Sequence, residues 1–183
     1  MISLVSLTAL GFLTLTAALI DGRTGRIPNW LTLAGGILSL GIHGVSGGLP
    51  GLVPSVVGAA LCGLVPFVLY WASRGTAIGG GDLKLFLVLG ALLGPELGLS
   101  IQFSSYVLVS TFAMLRLTYE GKLWQLIGHL LILAARPFRK PAGREAPHPL
   151  ALTEIRLGPF IFLASVLAIA SEHLHLSVPW LAI

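Results

Sequence analysis

The charges of this chain are confined to the gaps between its apolar runs, and that confinement limits the fold more than any other feature. The eleven lysines and arginines are Arg23 and Arg26; Arg74 and Lys84; and Arg116, Lys122, Arg136, Arg139, Lys140, Arg144 and Arg156. Between these groups stand apolar runs of the length that crosses a bilayer, about 20 residues for a helix. A chain that is 55% hydrophobic and 10% charged has the composition of an integral membrane protein rather than a soluble domain. The formal net charge of +4 does not point to nucleic acid, because the charges are dispersed over loops. The single cysteine, Cys62, excludes a disulfide within the chain and a cysteine-rich zinc module. It reads as a small buried hydrophobe.

Residues 1–20 carry no charge and form the first expected span. No Lys or Arg precedes Arg23, which argues against a cleaved signal peptide. Pro28 sits where a first helical turn has no use for an N–H, so a second span is expected from Trp30 to about His43. Residues 44–51, with Gly47, Gly48 and Pro50, read as a short turn. A third span is expected over 52–71, kinked at Pro66. A fourth begins at Leu83 and ends before Gly94-Pro95-Glu96, and a fifth covers about 97–115. Its hydroxyls, Ser104 and Ser105, and Gln102 are expected to bond to backbone or neighbouring helices. Residues 116–154 are polar. Within them the 13-residue apolar run 123–135 is short for a crossing, and Lys122, Gln125, His129 and Arg136 fall near one side of it, so an interfacial helix is expected. The segment 137–149 reads as a loop, and a last span covers about 155–170. Trp30, Trp71, Trp124 and Trp180 suit interface positions. His43 and His129 read as interfacial or packed, and His173 and His175 are spaced wrongly for one metal site. The expected fold is all-α: one membrane domain over 1–183, a polytopic helix bundle of about six transmembrane helices plus a cytoplasmic interfacial helix in 116–154.

In a six-span arrangement every Lys and Arg lies on one side, which the positive-inside rule makes cytoplasmic. A crossing at 123–135 would move Arg136 to Arg144 outside, so six spans fit better than seven. Asp21 and Asp82 then share the cytoplasmic side, although 61 residues separate them in sequence. Only seven acidic residues occur in the chain, and these two stand at the edges of apolar runs. An Asp at the centre of a transmembrane helix costs about 3 kcal/mol, less near the headgroups, so such a residue is a functional candidate by default.

Two carboxylates that converge are the minimum set for acid–base hydrolysis of an amide. One, ionised, takes a proton from water; the other, protonated, donates to the carbonyl oxygen of the scissile bond. Such a pair titrates as a unit. Helix polarity assigns the proton to Asp21, at a helix C-terminus, and the base to Asp82, at an N-terminus. Gly79, Gly80 and Gly81 permit unusual backbone conformations and close approach of a substrate backbone. Exposed backbone there offers pairing to an unwound substrate strand. Lys84 either tunes the pair, holds a lipid phosphate, or snorkels to the surface.

Gly79-Gly80-Gly81-Asp82, followed by Leu83-Lys84-Leu85, resembles the GxGD motif of membrane aspartyl proteases. Asp21 with Ile27-Pro28-Asn29 is similar to the surroundings of the first aspartate in type IV prepilin peptidases. Gly158-Pro159-Phe160 resembles a third element of that family, with Arg156-Leu157 in place of the usual Pro-aromatic pair. The resemblance covers nearly the whole chain. It implies a multi-pass peptidase of the bacterial cytoplasmic membrane with Asp21 and Asp82 catalytic. Pro28, Asn29, Gly79, Gly80, Gly81 and Lys84 would then contact the substrate. Its partners would be a pilin-like precursor, cut after a glycine that ends a short basic leader, and membrane lipid. No cofactor is implied. Long members of that family methylate the new amino terminus and carry a cytoplasmic domain with paired cysteines; this chain resembles the short form associated with tight-adherence pili or the archaeal preflagellin enzymes.

Other readings stand beside this one. Asp21 can be a helix-end residue paired with Arg23 or Arg26, and Asp82 a cap after a glycine turn. The chain can be a small transporter or scaffold with a carboxylate relay, because glycine-broken apolar segments mark such sites. A metal-dependent transferase acting on lipid-linked substrates needs more oxygens than two aspartates give.

Overall fold

The computed structural model describes residues 4–75, 78–121, 124 and 156–173, and every element among them is a helix. These are α1 (Leu4–Thr24), α2 (Asn29–Ala72), α3 (Gly80–Leu93), α4 (Pro95–Tyr119) and α5 (Gly158–His173). The expected interfacial helix at 123–135, with Lys122, Gln125, His129 and Arg136, lies outside the described residues. So do the loop at 137–149, His175 and Trp180. The chain divides into two units, Met1–Leu108 with Arg156–Ile183, and Val109–Ile155. In the second, Arg116 and Glu120 form an ion pair one helical turn apart, at 2.9 Å, and the chain then turns at Gly121 with φ +68°.

Helices α1, α2 and α4 are long and apolar enough to cross a membrane. α2 has 44 residues, about 66 Å of helix, which is twice a hydrocarbon thickness of about 30 Å. It folds back on itself at Gly48, whose φ of 59° and ψ of −149° belong to no helix. The expected second and third spans are therefore the arms 29–47 and 49–72. The turn between them is tighter than the eight residues 44–51 read from sequence. The closeness of Gly51 to the His43 carbonyl shows why: a methyl on Gly51 would stand 2.6 Å from that oxygen. Pro50 and Pro54 fall near the start of the second arm. Pro66, expected to kink its helix, is buried in it, and the one break in helical dihedrals inside α2 is at Gly48. Helices α3 and α5 have 14 and 16 residues, shorter than a full crossing.

Unit one is built inside out relative to a soluble protein. Leu33, Ile37, Leu64 and Phe67 are exposed, whereas Thr14, Ser39, Ser55 and Gln102 are buried. In lipid the apolar faces need no cover, and helices associate through small residues and internal hydrogen bonds. The buried hydroxyls mostly return to their own helix: Thr14 to Leu10 O, Ser39 to Gly35 O and Ser105 to Ile101 O. Two cross between helices, Ser55 Oγ to Ala91 O at 2.7 Å and Gln102 Nε2 to Cys62 O at 2.9 Å. Ser104 departs from expectation, since its buried hydroxyl has no partner among the described residues, and neither has that of Ser100.

Helix α3 lies between the two arms of α2, parallel to the first and antiparallel to the second. Lys84 meets Asn29, and His43 Nε2 meets Leu92 O at 3.1 Å on one side. On the other side Ser55 faces Ala91 and Gly63 faces Leu87. Glycines set the spacing. A methyl on Gly58 would stand 2.1 Å from Gly90 O, and one on Gly90 would stand 2.2 Å from Gly58 O. Backbone therefore touches backbone, and no side chain can yield. Gly58→Ala or Gly90→Ala is expected to lower stability by about 1–3 kcal/mol, the usual scale of overpacking. Thermal unfolding in detergent measures this, and an unchanged midpoint for both variants would contradict the packing.

Candidate active site

At one end of unit one, four segments converge: the last turn of α1, the loop to α2, the first turn of α3 and the first turn of α5. The helix of the first span runs a turn further than the sequence indicated, to Thr24, so Asp21 lies inside the last turn rather than beyond it. Its side chain is 5% exposed. Gly158 donates its backbone N–H to Asp21 Oδ2 at 2.9 Å. Gly158 is the first residue of α5, where N–H groups have no helical partner, so the carboxylate satisfies an orphan donor. No ion pair joins Asp21 to Arg23 or Arg26 among the described residues.

Asp82 sits in the first turn of α3, three residues after the N-cap Gly79. Its carboxylate lies beside Gly79, at the start of the helix, where a negative charge is favoured. The glycine run works by close approach rather than by unusual dihedrals. Gly79 is extended, with φ −74° and ψ 147°, and none of Gly79, Gly80 and Gly81 has positive φ. A methyl on Gly81 would lie 2.9 Å from Ile27 Cβ and 3.2 Å from Ile27 N. One on Gly80 would touch the Tyr70 ring, and one on Gly79 would lie 3.1 Å from Asp82 Oδ2. Of the three, Gly79 is extended and exposed, and so keeps the geometry for pairing with a strand.

The loop between α1 and α2 joins the two carboxylates. Gly25 N–H bonds to Asp21 O at 2.8 Å, and Ile27, 8% exposed, packs on Gly81 beside Asp82. Through these contacts the loop brings Asp21 and Asp82 to the same end of the unit. Pro28 is the N-cap of α2, one position earlier than expected, with φ −72° and ψ 142°. Lys84 donates to Asn29 Oδ1 at 2.7 Å, tying α3 to α2 next to the pair. Arg23, Arg26, Arg74, Lys84 and Arg156 lie on helix ends at this same end of the unit, and the turns at Gly48 and Gly94 lie at the other.

A family model described as the type IV leader peptidase family matches residues 8–114, more than half of the chain. The chain belongs to the type IV leader peptidase family. The match includes Asp21, Ile27-Pro28-Asn29 and Gly79 to Lys84. Membership makes the protein a leader peptidase-like protease, and its long apolar helices make it a membrane protein. It also displaces the transporter and transferase readings. No curated protein and no solved structure matches the chain.

The sequence named Asp21, Asp82, Pro28, Asn29, Gly79, Gly80, Gly81 and Lys84, and the structure brings all eight to one end of the unit. It did not foresee Gly158 N–H as the partner of Asp21, or Ile27 as the residue that fills the space left by Gly81. The Gly158-Pro159 pair at a helix start was a usable signal for the first, because a helix N-terminus offers donors to a carboxylate. For Ile27 no local signal exists.

The Ile27–Gly81 contact is open to a direct check. In a Cys62→Ala background, the pair Ile27→Cys and Gly81→Cys is expected to form a disulfide under mild oxidation. The loop has to give by about 1 Å to reach the usual Cβ separation of about 3.5–4.5 Å. Two thiols that both remain open to alkylation after oxidation would contradict the described packing.

Proposed function

We propose that this protein is an aspartyl endopeptidase that removes basic leader peptides from type IV prepilin-like precursors. It cuts after a glycine at the cytoplasmic face of the bacterial cytoplasmic membrane, with Asp21 and Asp82 as the catalytic pair. The observation that supports the reading is that these two aspartates, 61 residues apart in sequence, lie at one end of a membrane helix bundle within a leader peptidase domain.

The chemistry follows from a shared proton. The ionised member of the pair takes a proton from water while the protonated member gives one to the carbonyl oxygen, and a tetrahedral diol forms. Its collapse returns a proton to the leaving nitrogen and breaks the C–N bond. Asp21 stands in the last turn of α1 and accepts the N–H of Gly158 from the start of α5, and Asp82 stands in the first turn of α3. Helix polarity gives Asp21 the role of acid and Asp82 that of base in this reading, and the start of α5 adds a donor to the Asp21 carboxylate.

A precursor helix has to unwind before its amide can be attacked, because helical carbonyls are already hydrogen-bonded. The exposed, extended Gly79, without a side chain, leaves room for the unwound strand to approach the pair. Asn29 and Lys84, bonded to each other beside the pair, are the substrate or lipid-headgroup contacts in this reading. The one-sided placement of the cations favours a cytoplasmic site, and the six-span arrangement belongs to the same proposal.

Asp21→Asn and Asp82→Asn are each expected to lower kcat/KM for a precursor in detergent by at least about 100-fold, the lower end of what acid–base groups contribute. Sequencing the product of the unchanged enzyme is expected to start at the residue after the leader's final glycine. Cleavage at normal rate by either variant would contradict the assignment.

A further inference from the structure

Arg156 stands two residues before α5, at a helix start where a cation gains nothing from the helix's own dipole. Its guanidinium turns to another helix. Nη1 donates to the carbonyl of Asp21 at 3.0 Å and to that of Gly22. These are last-turn carbonyls of α1, where a cation is favoured, and that of Asp21 takes the Arg156 donor in addition to the Gly25 N–H. The same guanidinium lies over Gly25, where a methyl would stand 3.9 Å from Arg156 Nε, and Gly25 takes the left-handed φ of +67° that ends the helix. Two residues further on, Gly158 holds the side chain of the same aspartate. A methyl there would strike Asp21 Cβ and Oδ2, each at 2.8 Å.

We propose that Arg156 is a positioning residue for Asp21: with Gly158 it fixes the backbone and the carboxylate of that aspartate from a single tripeptide and so sets its placement toward Asp82. Arg156 touches no reacting atom in this account. It acts through the main chain of the residue that does, and the inference rests on the catalytic role given to Asp21 above. One planar guanidinium reaching two successive carbonyls restrains the last turn of α1 against fraying, and Asp21 is in that turn. Catalytic groups displaced by about 1 Å lose on the order of 100-fold in rate, so loosening this turn is read in turnover rather than in binding.

The test is steady-state cleavage of a precursor by the purified chain in detergent, with kcat expressed per folded molecule and folding followed by thermal unfolding. Arg156→Ala and Arg156→Gln are expected to lower kcat on the order of 10- to 100-fold with KM within about twofold. Arg156→Lys, which still brings donors to the two carbonyls, recovers most of kcat. Arg23→Ala, which removes a neighbouring cation that holds no carbonyl among the described residues, keeps it. A kcat per folded molecule that is unchanged in Arg156→Ala, with only the melting midpoint lowered, would make the contact purely structural and overturn the proposal. So would a raised KM at constant kcat, which marks a substrate contact. Asp21→Asn separates the two levels. If it is inactive while Arg156→Ala turns over normally, only the positioning role fails; if it is active, the catalytic reading beneath it fails.

Discussion

The hydrogen bond from Gly158 N–H to the Asp21 carboxylate is the contact on which the architecture of this end of the protein turns. A helix that begins or ends near lipid has to satisfy its terminal N–H and C=O groups within the protein, because the hydrocarbon offers no water. Here the ends satisfy one another. Asp21, from the last turn of α1, takes the first donor of α5. Arg156, from just before α5, covers the last acceptors of α1. Asp82 stands in the first turn of α3, its carboxylate beside Gly79. The groups that solve the capping problem are thus the groups proposed to do chemistry, which is why both aspartates are tolerated in so apolar a chain.

Depth is set by the glycines on the long helices. Gly58 and Gly90 bring backbone against backbone, Gly63 makes room for Leu87, and Gly35 sits against Leu13 and Val88. α3 is thereby seated between the arms of α2 with its amino end level with Asn29, to which Lys84 bonds. With no hydrophobic driving force between helices in lipid, such close approaches are what hold a bundle together. They also fix where Asp82 emerges, so that packing far from the site controls the geometry within it. Phe86 extends this seat to α4, its ring centroid 5.5 Å from that of Tyr106.

Much of this was legible in the residue order because it depends on one-dimensional signals. Charges confined to gaps gave an all-helical membrane chain, and cations on alternate loops gave the common side of Asp21 and Asp82. What the order hid are contacts between segments. Gly79 to Gly81 advertised flexibility, yet they adopt ordinary dihedrals and serve to admit Ile27 and Tyr70. Gly48, one glycine of a pair, carries the whole reversal in α2. Arg156 stood out only as a departure from a familiar pattern, and its partners are carbonyls 134 and 135 residues away, which no local reading reaches. The donor that the start of α5 brings to Asp21 from across the chain was hidden for the same reason.

The most direct measurement of the central claim is an experimental structure of the protein with a leader peptide in which the scissile amide is replaced by a hydroxyethylene group. That hydroxyl stands where the attacked carbonyl oxygen and the water would be. The account predicts that it lies between the Asp21 and Asp82 carboxyls, within hydrogen-bond reach of both, on an extended peptide beside Gly79. A hydroxyl held by only one of them, or by neither, would contradict it.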